Sequence, residues 1–408
     1  MKKLAYVLSM LLIAGSTIVG CGEDTGGGDS NGTTDTGADT GVDGSADTSA
    51  DTSGDTSQPM GSATFTTYNA GLARGFVDYA EERSQPVADA VSQLDSDVVC
   101  MQEVWLYQDE QSEWSTGQID AIIDASSETF PHSYYEITES TGSTQTCEND
   151  DTDPLETCVN ENCGDTPPGE LAGCALSNCS EEYNALSEEC QGCIVSNIGG
   201  TIEQILQACS GSGGSEYSYN GHNGLLLLSK HELTNTEFET FESTVVQRAV
   251  LHATVDVPDF GQTDVYCTHL AADLSGTVPY SGDTYSSYEE EQAGQIDALT
   301  GYIDQTATGD DIVLMGDMNN GPAVGDLQAE FDANYQKFIE ANFANPYLEQ
   351  ASPLCTYCGA NTLNSGDAEK AIDHVFTRFG TSVGTEETMR ILDETQSIET
   401  SDGNMDLH

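Results

Sequence analysis

From Ala63 onward, apolar residues come in bursts of strand length, separated by longer stretches with helical spacing. Ala63 to Asn69 alternates apolar and polar positions and predicts a strand that ends on a polar side chain. Arg83 to Leu94 has the period of an amphipathic helix. Asp97 to Glu103, with Val98-Val99-Cys100-Met101 at its centre, predicts a buried strand ending on an acid. Gly224 to Ser229, Ala249 to Val255, Asp264 to His269, Asp311 to Asp317 and Ala371 to Thr377 predict further strands. Strands mixed with amphipathic helices indicate an α+β architecture, a two-layer β core covered by helices.

Two regions break this pattern. At the start, Met1-Lys2-Lys3 and the apolar run to Val19 have the charged n-region and short h-region of a secretory signal. The run is short for a membrane span, which takes ~20 apolar residues. It closes on Ile18-Val19-Gly20-Cys21, which resembles the lipobox of bacterial lipoproteins. That resemblance implies cleavage before Cys21, acylation of Cys21 and anchoring to the bacterial cell envelope. An ordinary cleaved signal is the alternative, and export is expected from both. Residues 1–20 are thus assigned to a signal and 21–60 to a tether. In the tether Asp35, Asp39, Asp43, Asp47, Asp51 and Asp55 recur every four residues among Gly, Ser, Thr and Ala. Such a segment cannot bury enough apolar surface to offset its ordering entropy, so a disordered spacer is expected.

The second interruption lies within 140–215, where eight of the 13 cysteines fall between Cys147 and Cys209. Cys147, Cys163 and Cys179 are evenly spaced, as are Cys158, Cys174 and Cys190, which suggests a weak internal repeat. In an exported chain such crowding predicts small helical segments, such as Glu181 to Gln191, stapled by three or four disulfides. The rival is a zinc cluster, since Cys190/Cys193 and Cys355/Cys358 both have metal-knuckle spacing.

Charge narrows the partners. The chain holds 70 acidic and 10 basic residues, a formal net charge of −60. Only nine of the acids lie in the tether, so the 61–408 region keeps nearly all of the imbalance. A field of that sign repels nucleic acid, which is gripped through Lys and Arg contacts to phosphates.

The candidate chemistry sits where apolar strands end: Asn69, Glu103, His269, the Asp317/Asn319 pair and Asp373. Each alone has a structural explanation as a turn, a cap or a core histidine. Their order is more specific. Tyr68-Asn69, Gln102-Glu103-Val104-Trp105, Thr268-His269-Leu270, Gly316-Asp317-Met318-Asn319 and Ile372-Asp373-His374-Val375 resemble the successive motifs of the endonuclease/exonuclease/phosphatase superfamily. The resemblance covers about 62–408 apart from the cysteine-rich insert. It implies a four-layer α/β/β/α sandwich, a monomer and metal-dependent phosphoric ester hydrolysis. Glu103-Val104-Trp105 with Gln108-Asp109, Gly224 to His231, and Val265 to Ala272 resemble the neutral sphingomyelinase branch more than the nucleases.

By this resemblance Glu103 would hold Mg²⁺ with Asn69 assisting, which suits a cation that takes only one or two carboxylates. Asp317 would orient or deprotonate the attacking water. Asn319 and His269 would hydrogen-bond the phosphoryl oxygens, and Asp373 would orient a catalytic histidine. The family's closing Ser-Asp-His followed by a strand is not matched, because the sequence ends Asp406-Leu407-His408. Either His408 takes that role or the sequence stops short of it. His374 is the weaker candidate, because alternation points it to the face opposite Asp373. The leading expectation is a sphingomyelinase C-like phosphodiesterase acting outside the cell on phospholipid headgroups. An extracellular nuclease and a catalytically degenerate surface binding module are the alternatives.

Overall fold

The computed structural model describes residues 15–21 (backbone only), 61–108, 113–166, 171–211, 214–276, 278–364, 367–380, 385–392 and 394–407. The tether, the start of the expected signal, Asp109 and His408 lie outside them. Along the chain the elements are β1 (Gly15–Cys21), β2 (Thr64–Asn69), α1 (Ala80–Val91), β3 (Val98–Gln102), the short pair β4 (Tyr107–Gln108) and β5 (Trp114–Ser115), α2 (Gly117–Ser126) and β6 (His132–Tyr134). The insert follows with α3 (Asp153–Asn162), α4 (Leu171–Asn178), α5 (Ser180–Asn184), α6 (Glu188–Ser196) and α7 (Ile202–Cys209). The second half is β7 (Leu226–Ser229), β8 (Leu233–Thr240), β9 (Ala249–Val257), β10 (Gly261–His269), α8 (Tyr288–Thr306), β11 (Ile312–Asp317), α9 (Asp332–Glu340), β12 (Asp373–Arg378), β13 (Thr385–Ile391) and a hairpin of β14 (Gln396–Thr400) with β15 (Gly403–Leu407).

One sheet has the order β13-β1-β2-β3-β7-β6 and the other β12-β11-β10-β9-β8. Each is mixed: β2/β3 and β10/β11 are parallel pairs among antiparallel ones. The sheets pack face to face, and period-two alternation divides their strands between two cores. Val98, Cys100, Val313, Met315 and Val375 fill the layer between the sheets. Val99 and Met101 face α1 and α2, through Val87, Val91, Ile119 and Ile122. Leu314 and Phe376 face α8 and α9, through Leu299, Ile303 and Phe338. The result is the expected α/β/β/α sandwich. Burial on both faces is why β3, β7 and β11 read as unbroken apolar runs. Cys100 of β3 and Cys267 of β10 bridge the two sheets.

The insert is helical and carries four disulfides: Cys147–Cys190, Cys158–Cys179, Cys163–Cys174 and Cys193–Cys209. Its first two helices carry equivalent bonds, from the Asn162 amide to Cys158 O and from the Asn178 amide to Cys174 O, and fold into a hairpin. Cys158 in α3 and Cys163 just after it meet Cys179 just after α4 and Cys174 within it, in nested antiparallel pairs. The zinc alternative fails at both candidate pairs. Cys190 and Cys193 bond elsewhere, and Cys355 bonds Cys358. Nor is the segment from Glu181 to Gln191 one helix. It breaks between α5 and α6, where the Ser187 hydroxyl accepts the Cys190 N–H and caps α6.

β1 is a departure from expectation, since residues assigned to the signal lie between β2 and β13. An apolar run with β-branched Thr17-Ile18-Val19 has strand propensity and pairs with the available sheet edges. Cleavage before Cys21 would remove all of this strand but its last residue.

Candidate active site

The motif strands converge at one end of the sandwich. Alternation accounts for most of the site. Phe65 and Asn69 share a face of β2, as do Cys267 and His269 on β10, Met315 and Asp317 on β11, and Asp373 and Val375 on β12. In each case the apolar partner lies in the inter-sheet core. The polar residue therefore caps that core where its strand ends, or where antiparallel β12 begins. Across the ladder His269 is opposite Asp317, and Asp317 is opposite Asp373.

Glu103 does not follow this rule. It shares the parity of Val99 and Met101, which face the helices, yet its backbone is left-handed at φ 59°. That turn carries its side chain into the site. Such a conformation costs a non-glycine residue about 1–3 kcal/mol and persists where surroundings over-determine it. Here Ala70 N–H bonds Gln102 O, Leu72 N–H bonds Glu103 O, and Val104 N–H bonds Gly224 O. Gly224 is itself required: at φ 70°, a Cβ would lie 2.7 Å from the Trp105 ring.

The side chains meet closely. Asn69 Nδ2 donates to Glu103 Oε1 and to Asp317 Oδ2, each at 2.9 Å. Its carbonyl accepts from Gly71 N–H at 3.0 Å. Asn69 thus stands as a donor that ties the carboxylates of the two sheets together, rather than as an oxygen offered to a cation. His269 Nε2 lies 3.7 Å from Asp317 Oδ2. Asn319, also left-handed at φ 48°, donates its backbone N–H to Asp317 Oδ1 and its amide to Leu270 O.

Every one of these groups is almost completely buried, and electrostatics follow from that. Burial pushes Glu103 up to about 8 and Asp317 up to about 6, against the opposing bonds from Asn69. Asp373 rises well above the carboxylate range through burial and the neighbouring Asp317, while burial and Arg248 hold His269 neutral. Ionising all three enclosed carboxyls would outweigh the nearby positive charge, and buried charges are costly unless compensated. Glu103 Oε2, Asp373 Oδ1 and both His269 nitrogens are buried without hydrogen-bond partners. Atoms from Glu103, His269 and Asp317 lie within 4.8 Å of one another. Unpaired oxygen donors beside uncompensated negative charge fit a hard divalent cation.

His374 is not part of this cluster. It faces α9, against Tyr335 and Phe376, with Nδ1 accepting from Asn345 and Nε2 donating to Asn320 O. The alternation that sends Asp373 inward sends His374 outward. Nothing describes His408, and Cys21 is described only as backbone in β1.

Sequence reasoning passed over three residues. Arg248, just before β9, is 3% exposed, interacts electrostatically with Glu103 and Asp317, and has an unpartnered Nη1. Its one sequence signal is an arginine abutting an apolar strand in a chain that has few. Arg83 is fully buried in α1 and donates to Ala70 O and Gly71 O, bracing the loop after β2. Thr356 Oγ1 accepts the backbone N–H of Ile372 and Asp373, and its side chain also bonds the Asp373 carboxyl.

Residues 66–388 match the family described as "Endonuclease/Exonuclease/phosphatase family". No curated protein matches the sequence. Among solved structures, one similar chain is the endonuclease/exonuclease/phosphatase from Beutenbergia cavernae, at 17% identity and TM-score 0.42. The match covers 76% of this chain but 63% of that one, less than two thirds of its length. Sphingomyelinase C from Streptomyces griseocarneus is similar at 14% identity and TM-score 0.46, over 84% of this chain and 93% of that one. A beta toxin mutant from Staphylococcus aureus with bound magnesium ions is similar at 11% and 0.43, over 84% and 94%.

Proposed function

Because the chain belongs to the endonuclease/exonuclease/phosphatase family, we propose that it is a divalent-cation-dependent phosphodiesterase that acts outside the cell on phospholipid headgroups, in the manner of a sphingomyelinase C. The observation that carries the substrate class is where the basic side chains go. Lys230, Lys337, Lys370, Arg74 and Arg378 are each paired with a carboxylate. Arg83 and Arg248 are buried, and Arg390 bonds Cys355 O. These are all the Lys and Arg residues from 61 onward. The domain therefore presents no spare cationic track for a nucleic-acid backbone, whereas a headgroup ester needs only the local charges of the site. Six disulfides support an oxidising compartment, and acylation of Cys21 would keep the domain at a membrane.

Glu103, through its unpartnered Oε2, would hold the cation, with Asp317 beside it. A bound Mg²⁺ supplies charge neutralisation at the phosphorus and at the leaving oxygen. The chain's own residues do the rest. Asp317, hydrogen-bonded at both oxygens and therefore fixed in direction, accepts the proton of the attacking water. Neutral His269 has free ring nitrogens for a phosphoryl oxygen, and Arg248 adds a buried positive charge where negative charge develops. Asp373 keeps Oδ1 available to a proton-carrying partner.

Phosphocholine release from sphingomyelin vesicles, measured with Mg²⁺ and then with chelator, tests the proposal, beside a salt-titrated duplex DNA binding assay. Metal-dependent release that Glu103→Gln abolishes is expected. Tight DNA binding at physiological salt, with no release from vesicles, would replace the lipid reading with a nuclease.

A further inference from the structure

The insert packs on the strand-end loops beside the site, and between them lies an apolar cleft of about 60 Å³. Its walls include Phe76, Val159, Ala175, Leu176, Ile198 and Val278. Apart from the Tyr183 ring, the remaining lining side chains are aliphatic too. Two of these walls belong to the segments that leave the site strands: Phe76 follows β2, which ends at Asn69, and Val278 follows β10, which ends at His269. A continuous path of rings links cleft and site. Trp105, two residues beyond Glu103, stacks on Tyr219 at 4.6 Å, and Tyr219 meets Phe76 edge-on at 6.2 Å.

The chemistry of the lining selects the occupant. A polar or charged group placed there would lose its hydrogen bonds to water and gain none, whereas a hydrocarbon gains both burial and dispersion contacts. We infer that the cleft is a hydrocarbon-chain subsite, which takes an acyl or alkyl chain of the same phospholipid whose phosphodiester lies at Glu103 and Asp317. This rests on the phosphodiesterase reading above. A water needs about 10–15 Å³ of such space, so the cleft of about 60 Å³ admits a short run of methylenes at the end of a chain. Ala172, Ala175 and Leu176 of α4 pack on the cluster yet stay only partly buried. Cys158–Cys179 and Cys163–Cys174 tie α4 to α3, so this wall of the cleft is held as one hairpin.

The test is calorimetric titration of the full chain with alkylphosphocholines of increasing chain length, each kept below its self-association concentration, and with phosphocholine alone. Affinity should rise about fourfold per methylene that enters the cleft, from ~0.8 kcal/mol per buried CH₂. Ala175→Trp, which fills the cleft, should flatten that series while leaving phosphocholine binding and the melting temperature unchanged. Should this variant fail to fold, hydrogen exchange on the parent decides instead: the longest chain should protect residues 171–178. A flat series in the parent, an undiminished slope in folded Ala175→Trp, or protection confined to another region overturns the subsite. Hydrolysis of short-chain phosphodiesters with no chain-length dependence would sink the subsite alone. Chain-dependent binding without any metal-dependent hydrolysis would sink the phosphodiesterase reading and leave a chain-binding cleft.

Discussion

Glu103→Gln should stabilise the metal-free protein while abolishing its response to Mg²⁺. In the absence of a cation, Glu103 shares its enclosure with Asp317 and Asp373, and burial raises it from 4.5 to about 8. For a carboxyl whose folded value lies above its unfolded one, the unfolded state releases its proton first. Stability is therefore lost as pH rises from 4.5 toward 8, at about 1.4 kcal/mol per unit. At pH 7 holding this carboxyl protonated costs the fold roughly 3 kcal/mol. Glutamine keeps the shape and still accepts the Asn69 N–H, but has no proton to lose. With a shift of ~2–4 °C per kcal/mol for a domain somewhat smaller than this one, the variant should melt about 5–10 °C above the parent in chelator at pH 7. The gap should close by pH 5. Mg²⁺ should raise the parent's melting temperature by mass action and leave the variant where it is. Thermal melts at pH 5, 7 and 8, with chelator and with Mg²⁺, provide the check. A variant no more stable than the parent at pH 7 in chelator, or equal stabilisation of both by Mg²⁺, would refute the cation-site argument.

Three further outcomes are expected. Arg248→Met should lower kcat by about 10²–10³-fold, the scale of losing one preorganised group that stabilises transition-state charge; turnover within a few-fold of the parent would remove Arg248 from the chemistry. Burial pushes Asp264 up, but bonds from His252, Thr254, Thr308 and Gly309 outweigh it and bring the group down to about 2. Its contribution is therefore present above pH 4 and lost as pH falls toward 2, so Asp264→Asn should cost about 2 kcal/mol near neutrality, with the two acid-unfolding curves converging near pH 2. His374→Gln should lower the melting temperature, through about 1–3 kcal/mol of disturbed hydrogen bonding to Asn345 and Asn320, yet leave kcat within a few-fold; a thousandfold loss would show that His374 takes part in the reaction.

Local periodicity decided much of this protein. Alternation along β2, β10, β11 and β12 places Asn69, His269, Asp317 and Asp373 on the inter-sheet face and His374 on the other, because a strand's side chains alternate whatever it packs against. Unbroken apolar runs announced strands covered on both faces. β8 escaped notice because it is an edge strand, mostly exposed, with Glu237 and Glu239 in place of an apolar alternation. Tertiary structure alone decided the rest. Glu103 reaches the site through a left-handed turn that contradicts its parity, held by bonds to loops distant in sequence. Arg248 looks like any surface arginine until packing buries it beside Glu103 and Asp317. The disulfide pairing could be read only once α3 and α4 fold back on each other. The bond from Asn69 to Asp317 spans 248 residues and joins the two sheets. Periodicity records the face on which a side chain lies, but only packing determines which faces meet.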